Sequence, residues 1–377
     1  MKLLHISDLH IGRKIKGYSL LEDQKYILNQ IIDTIKERKI DGIIIAGDIY
    51  DTSTPTNEAM NCFDRFISDI HSLNVACYAV SGNHDSIYRV AFGSDIMARE
   101  KIYFSKKYKG DIAPIKADKN INIWLLPFIR PVDVRHYHPD FAIGNYNEMM
   151  KTVVSNLDID TDKINILVAH QFVTCGAKNP ETSESETVSL GTLDNVDISN
   201  FDKFDYVALG HIHKPQTMGR NSIRYSGSIL KYSFSEKDDV KSMVLLDIKN
   251  KNINIESIPY KAQRDMKEFC GCFDELLKYH KCDDYLRIVL KDENYITDVK
   301  QKLEVNFKNI MEIVYDNLCS SENSLNKKTQ EIENKTPLEL FEDFYELQNN
   351  RKMNDKERKT VQNVFEDVLK YNRETIQ

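Results

Sequence analysis

Five stretches of this chain place imidazoles, carboxylates or a carboxamide where an apolar run stops. "HISDLH" offers Asp8 and His10, "IIIAGDIYD" offers Asp48, "VSGNHD" offers Asn83 and His84, "LVAHQF" offers His170, and "ALGHIHKP" offers His211 and His213. Oxygen and imidazole donors with no cysteine among them suit manganese, iron or zinc in a hydrolytic centre better than a structural zinc. The set Asp8, His10, Asp48, Asn83, His170, His211 and His213 exceeds what one ion needs and matches two ions sharing a bridging carboxylate. Taken singly, each cluster has a plainer reading: an Asp after a strand caps a helix, Asn-His sits in a turn, and a lone His is merely hydrogen-bonded. Their joint occurrence favours the metal reading.

For these residues to meet, the runs before them must be neighbouring strands. "KLLHIS", "DGIIIAG", "VACYAVSG", "INIWLLP", "INILVAH", "DYVALG" and "KSMVLLDI" are short, rich in Ile, Val and Leu, and bounded by polar turns, so they read as buried strands. Helical stretches lie between several of them; one covers about residues 20–38, with Leu20, Tyr26, Ile27, Ile31 and Ile35 available for an apolar face. This is an α/β pattern to about residue 260, and in α/β sheets sites assemble at the carboxyl ends of strands. Side chains two apart in a strand share a face, so Asp8 with His10, and His211 with His213, are expected to aim into one space. Trp124 lies in an apolar strand and reads as core.

From about 265 the rhythm changes to a small unit of helix, strand, helix, strand: "MKEFCGCFDELLKYH", "DYLRIVL", "YITDVKQKL", "NIMEIVYD". Residues 319–335 are polar and read as a linker. Thr336-Pro337-Leu338-Glu339 then supplies a helix start, with an N-cap hydroxyl, a proline in the first turn and a reciprocal glutamate. Leu338, Phe341, Phe344 and Tyr345, and in a further helix from near Asn354 Val361, Val364, Phe365, Val368 and Leu369, form apolar stripes that must pack on the chain's own core or on a partner. The expected domains are 1–262, 263–318, the linker 319–335 and a helical segment 336–377.

Hydrophobic residues make up 41% and charged residues 29% of the 377, a globular balance, and the net charge of -7 argues against nucleic-acid binding by overall charge alone. Local contacts stay open, because carboxylates committed to metal ions are neutralised in the folded site. The seven scattered cysteines fit a reducing cytoplasm, the N-terminal run reads as a strand and not a signal peptide, and no apolar run is long enough to span a bilayer.

The order D-x-H, GD, GNHD, H, GH-x-H resembles the signature of the calcineurin-like metallophosphoesterases. The fuller wording, "GDIYDTSTP", "SGNHDS", "VAHQFV", "SESE", "ALGHIHKPQ", "YSGSILKYSFSE" and "TPLELFEDFYELQNN", is similar to one branch, the double-strand-break repair nucleases that include the nuclease component of the bacterial SbcCD complex. The resemblance implies a four-layer α-β-β-α sandwich with a small α+β DNA-capping domain and C-terminal helices that bind a partner. It implies two Mn2+ per chain, with Mg2+, Fe2+ or Zn2+ as other occupants: one ion on Asp8, His10, Asp48 and His213, the second on Asp48, Asn83, His170 and His211, with Asp48 bridging. His84 matches the family's catalytic histidine. The implied partners are double-stranded DNA ends and hairpins and the coiled-coil ATPase of the SbcCD complex, in a heterotetramer containing a homodimer of this chain. No P-loop is present, so ATP dependence would come from that ATPase.

Softer candidates remain. Asp51 could orient His84, tune the metal shell or cap a helix. Arg13, Lys14, Lys16 and Arg89 could hold DNA phosphates or be solvated charge. Cys270, Cys272, His280 and Cys282 hint at zinc, against which stands the placing of Cys270 and Cys272 two apart in an expected helix. Three functions follow: a manganese DNA nuclease, exonucleolytic on duplex ends and endonucleolytic on hairpins or blocked ends; a phosphodiesterase or nucleotidase on small nucleotides; and a non-enzymatic DNA-end scaffold. The appended domain and terminal helices count against the second, and the complete ligand set against the third.

Overall fold

The computed structural model describes residues 1–186 and 194–316, together with 341, 342, 345, 351–353 and 357–361. Two six-stranded sheets form the centre of the larger compact unit, which comprises Met1–Phe269, Tyr279–Ile288 and Lys300–Glu312. The first sheet runs in the order Asn252–Pro259, Ser242–Lys249, Lys2–Ile6, Gly42–Ala46, Ala76–Val80, Ile102–Phe104. Its last four strands are parallel. The second sheet runs Gln216–Met218, Arg220–Tyr225, Tyr206–Gly210, Ile164–His170, Ile121–Leu126, Ile115–Asp118, and its middle four strands are parallel.

Strand periodicity builds the layers. Leu4 and Ile6, and Ile43 and Ile45, face a core shared with the helices Leu21–Arg38 and Asn57–Ser72. Their alternates Leu3, Ile44 and Ala46 face the second sheet, meeting Ile166, Val168, Tyr206 and Ala208. On the far side Leu167, Ala169, Val207 and Leu209 pack with the helix Tyr146–Ser155. Strands covered on both faces are apolar at nearly every position, which is why they read as continuous runs. The product is the expected α-β-β-α sandwich. Helix Leu21–Arg38 buries Ile27, Leu28, Ile31, Ile32 and Ile35, while Tyr26, expected on that face, stays 41% exposed at its margin. Helix Asn57–Ser72 is started by Thr56, whose hydroxyl accepts from Ala59 N at 3.2 Å. Trp124 is buried and donates from Nε1 to Asn165 Oδ1 at 3.0 Å.

His5 sits between the sheets, with Nδ1 3.0 Å from Tyr206 Oη and Nε2 unpaired. Burial, then the nearby Arg224 charge, pulls its pKa from 6.5 to about 3. The unfolded chain therefore takes a proton here as pH falls through 6.5 while the folded chain does not, so stability present above pH 6.5 is lost on acidification. The loss from this group is about 2 kcal/mol at pH 5. His5→Gln should flatten the fall of unfolding free energy between pH 7 and pH 5 by about that amount, read by denaturant titration at each pH.

The segment after residue 265 differs from the expected helix. Met266–Gly271 is a strand, followed by a single helical turn, Phe273–Leu276. The strand pairs with Cys282–Leu290, which pairs with Phe307–Tyr315. Spacing of Met266, Phe269 and Phe273 mimics a helix, but pairing with the neighbouring strand wins and Gly271 ends the element. Cys270 accordingly lies exposed in a strand and Cys272 caps the turn. No metal-ligating group among the described residues contains a cysteine. The second compact unit comprises Cys270–Lys278, Val289–Val299 and Ile313–Gln377. The linker 319–335 lies outside the described residues, as does most of the terminal segment. No helix among the described residues is long and apolar enough to cross a membrane.

Candidate metal centre

The two sheets touch at the carboxyl ends of their parallel strands. His170 donates from Nδ1 to Ala46 O across the gap, at 2.8 Å. A Cβ on Gly210 would lie 1.9 Å from Ala46 O, and one on Gly47 would lie 2.3 Å from His170 Nδ1. Only glycine permits this approach, and Gly47 also takes a φ of +92°.

Beyond the strand ends the backbone turns sharply, and non-glycine residues make the turns. Asp8 (φ 52°), His10 (φ 43°), Asp48 (φ 48°) and His211 (φ 104°) are all left-handed. Such conformations are uncommon for residues with a Cβ and cluster where function requires them. They also correct the reason expected for the His-x-His pair. The strand ends at Gly210, so His211 and His213 do not share a strand face. His211 Nδ1 instead lies 3.0 Å from Asn83 Oδ1, whereas His213 Nε2 lies 3.1 Å from His10 Nε2.

Two buried groups of donor atoms result: Asp8 with His10 and His213, and Asp8 with Asp48 and His170. Asp8 is common to both. Asp48 Oδ2 also stands between them, 3.6 Å from His10 Nε2 and 3.4 Å from His170 Nε2. Asn83 Oδ1 lies 2.9 Å from His170 Nε2, joining Asn83 and His211 to the second group.

The donor chemistry fits bound cations. His170 uses its Nδ1 proton on Ala46 O, so its Nε2 lone pair points at the oxygens of Asn83 and Asp48. Acceptors crowd there, and a proton or a metal ion must lie among them. In the protein alone it is a proton: burial opposes it, but the Asp48 charge raises the His170 pKa to about 9. Burial also raises Asp8, while Asp48 is held low against its own burial by His170. Burial keeps His10, His211 and His213 neutral, the last two with pKa lowered to about 3, so each offers a lone-pair nitrogen. His10 Nδ1 is buried without a hydrogen bond.

His84 borders this centre. Its backbone N–H donates to Asp48 Oδ1 at 2.9 Å, and Nδ1 donates to the main-chain oxygen of Asp51 at 2.9 Å, which fixes the ring and leaves Nε2 for other work. Asp51 thus orients His84 through its backbone. Its carboxylate accepts from Arg13 Nη1 at 2.8 Å and lies 3.5 Å from His10 Nδ1. Arg13 also lies over the Tyr232 ring, 5.3 Å from its centre, so it is engaged within the protein. Lys16 pairs with Glu312 at 3.2 Å, and Lys14 and Arg89 are exposed. A cavity of about 340 Å³ opens beside Asn83, walled in part by Tyr88, Lys107, Phe128 and Arg130.

Several residues at the centre were given no chemical role by sequence reasoning. Asp85 ties down the turn, accepting from Ile49 N, Tyr50 N and Gly82 N at 3.0, 3.0 and 2.9 Å. Ser185 Oγ lies 2.6 Å from His213 Nδ1, and Glu186 Oε1 accepts from His213 N at 2.6 Å. The "SESE" stretch therefore borders the site. Glu236 is buried behind Ser185, 2.5 Å from its hydroxyl. Its signal was the glutamate in "SFSE", which follows no strand end and so carried no metal-ligand pattern.

Residues 1–215 match the family described as calcineurin-like phosphoesterase. Residues 262–349 match a second family, SbcD_C, described as type 5 capsule protein repressor C-terminal domain. Among solved structures, a dimetal phosphatase from Danio rerio is similar over 68% of this chain and 95% of its own, at 12% identity and a TM-score of 0.42. The anchor in the inner membrane complex of Plasmodium is similar over 83% and 96%, at 12% identity and a TM-score of 0.41. A phosphoesterase from E. coli is similar over 68% and 100%, at 13% identity and a TM-score of 0.30.

Proposed function

Because this chain belongs to the calcineurin-like phosphoesterase family, we propose that its metal-dependent phosphoester hydrolysis is directed at DNA. In this reading it is the nuclease of an SbcCD-type complex, an exonuclease on duplex ends and an endonuclease on hairpins or blocked ends, serving DNA repair and recombination in the cytoplasm. The observation that carries the reading is the joint presence, on one chain, of the two donor groups and the SbcD_C match at residues 262–349. A nucleotidase for small substrates has no use for the second part. The coiled-coil ATPase of such a complex is the proposed partner, docked through residues 336–372, and residues 263–318 are proposed to cap the DNA.

Asp8, His10, Asp48 and His213 would hold one manganese ion, and Asp48, Asn83, His170 and His211 the other. Ions there would supply Lewis-acid neutralisation of the phosphodiester oxygens and an acidified water as nucleophile. The chain's own residues do the positioning. The Ala46 carbonyl holds His170 in the tautomer that leaves Nε2 as donor, and the Asp51 carbonyl does the same for His84. His84, when its ring carries a second proton on Nε2, can then stabilise developing charge or deliver that proton to the leaving oxygen. The cavity beside Asn83 gives a nucleotide next to the scissile phosphate room to lie against Phe128, with Lys107 and Arg130 at its wall.

The test is nucleotide release from linear duplex DNA by the purified chain in manganese, with chelation and His84→Gln as controls. Release should stop on chelation and fall by about 10²–10³-fold in His84→Gln, at unchanged metal content. Cleavage of small phosphodiesters without any release from DNA, even with the ATPase present, overturns the substrate assignment.

A further inference from the structure

Glu236 is 1% exposed and reaches no metal-ligand position, yet its carboxylate is the most heavily bonded group behind the centre. Oε1 accepts from Ser185 Oγ at 2.5 Å, Ser233 Oγ at 3.1 Å and Ser183 Oγ at 3.2 Å. Oε2 pairs with Lys241 Nζ at 2.6 Å and accepts from Tyr232 N at 3.3 Å. Lys241 in turn donates to His213 O at 2.7 Å. Ser hydroxyls, a peptide N–H and an ammonium surround this carboxylate and secure it as an anion, and Ser183 Oγ also lies 2.8 Å from Ser185 Oγ.

The relay has a single consistent direction. Ser185 Oγ lies between Glu236 Oε1 at 2.5 Å and His213 Nδ1 at 2.6 Å, while Glu236 and His213 themselves are 3.9 Å apart. The carboxylate can only accept, so the hydroxyl proton goes to Glu236. The Ser185 oxygen must then accept from His213 Nδ1–H, which places the lone pair of His213 on Nε2, the nitrogen facing His10 and Asp8. The ring is held from two further sides, its peptide N–H by Glu186 Oε1 and its carbonyl by Lys241.

From this geometry we infer that Glu236 is a positioning residue for the metal centre, acting through Ser185 to fix the tautomer and aim of His213. The inference rests on the two-metal reading and adds a direction to it: only the ion held by Asp8, His10 and His213 should depend on Glu236. A carboxylate or hydroxyl partner behind a ligating imidazole changes metal affinity by roughly 10–100-fold.

The experiment measures manganese alone, by equilibrium titration and by metal content after dialysis at fixed free manganese, in the full chain. Glu236→Gln and Ser185→Ala should each weaken one of two bound ions roughly 10–100-fold and leave the other at wild-type affinity. Ser185→Thr, which keeps the hydroxyl, should retain both. Ser185→Ala guards against misfolding in Glu236→Gln, since it removes only the link; its circular dichroism and cooperative unfolding in chelator should stay native. Two ions of wild-type affinity in Ser185→Ala overturn the proposal, and so does equal weakening of both. A wild-type chain that binds no pair of ions overturns the two-metal reading itself, a result the variants are not needed to reveal.

Discussion

Asp48→Asn should abolish hydrolysis, with a fall on the order of 10⁴-fold, and should strip manganese from both positions. Asp48 is 2% exposed, and one of its oxygens approaches an imidazole of each donor group, His10 at 3.6 Å and His170 at 3.4 Å. Its other oxygen accepts the His84 N–H at 2.9 Å. Asparagine keeps the shape and can keep that hydrogen bond. It removes the negative charge between the groups and presents an N–H2 to lone pairs that need a cation. Metal content, rate in a single-turnover assay and circular dichroism should be read together. A native spectrum with both ions lost and no cleavage is the expected result; wild-type cleavage by this variant sinks the two-metal assignment.

Gly210→Ala should be the most damaging methyl group in the sandwich, costing about 3–5 kcal/mol and roughly 10 °C of thermal midpoint. Its Cβ would fall 1.9 Å from the Ala46 carbonyl oxygen and 2.8 Å from His170 Nδ1. Neither neighbour can swing aside: one is the backbone of a central strand, and the other is hydrogen-bonded to it. The sheets must separate locally, and the bond that sets the His170 tautomer breaks. Gly144→Ala serves as comparison, because its Cβ meets only the flexible Glu148 carboxylate at 3.2 Å; it should stay within about 0.5 kcal/mol of wild type. Calorimetry of the three proteins in chelator decides the matter, and a Gly210→Ala midpoint equal to wild type would refute the tight approach.

Why the strands and their terminal residues were readable while other parts were not follows from what each depends on. Strands such as Gly42–Ala46 and Ile164–His170 are covered on both faces, so apart from Asn165 and the terminal His170 their positions are apolar and the runs stand out. The polar residues ending them stand out for the same reason. His211 and His213 stood out by type, but the turn that aims them, with φ at 104° for His211, leaves no mark in residue spacing. Asp51 meets His84 through a main-chain oxygen that every residue carries, so its side-chain type could not reveal that contact. Met266–Gly271 has helix-like spacing and becomes a strand only because Cys282–Leu290 is there to pair with it. Glu236 is a buried carboxylate whose value lies in Ser185, 51 residues earlier, and no local pattern links the two.

The left-handed backbones of Asp8, His10, Asp48 and His211 set this molecule's stability against its activity. Each holds a side chain in a conformation costing on the order of 1–3 kcal/mol, and the surrounding sandwich must absorb the total. Drift toward glycine at these positions would relax the fold while erasing the donors. Selection for hardiness alone would therefore dismantle the centre, and the presence of four such residues together records a demand other than folding.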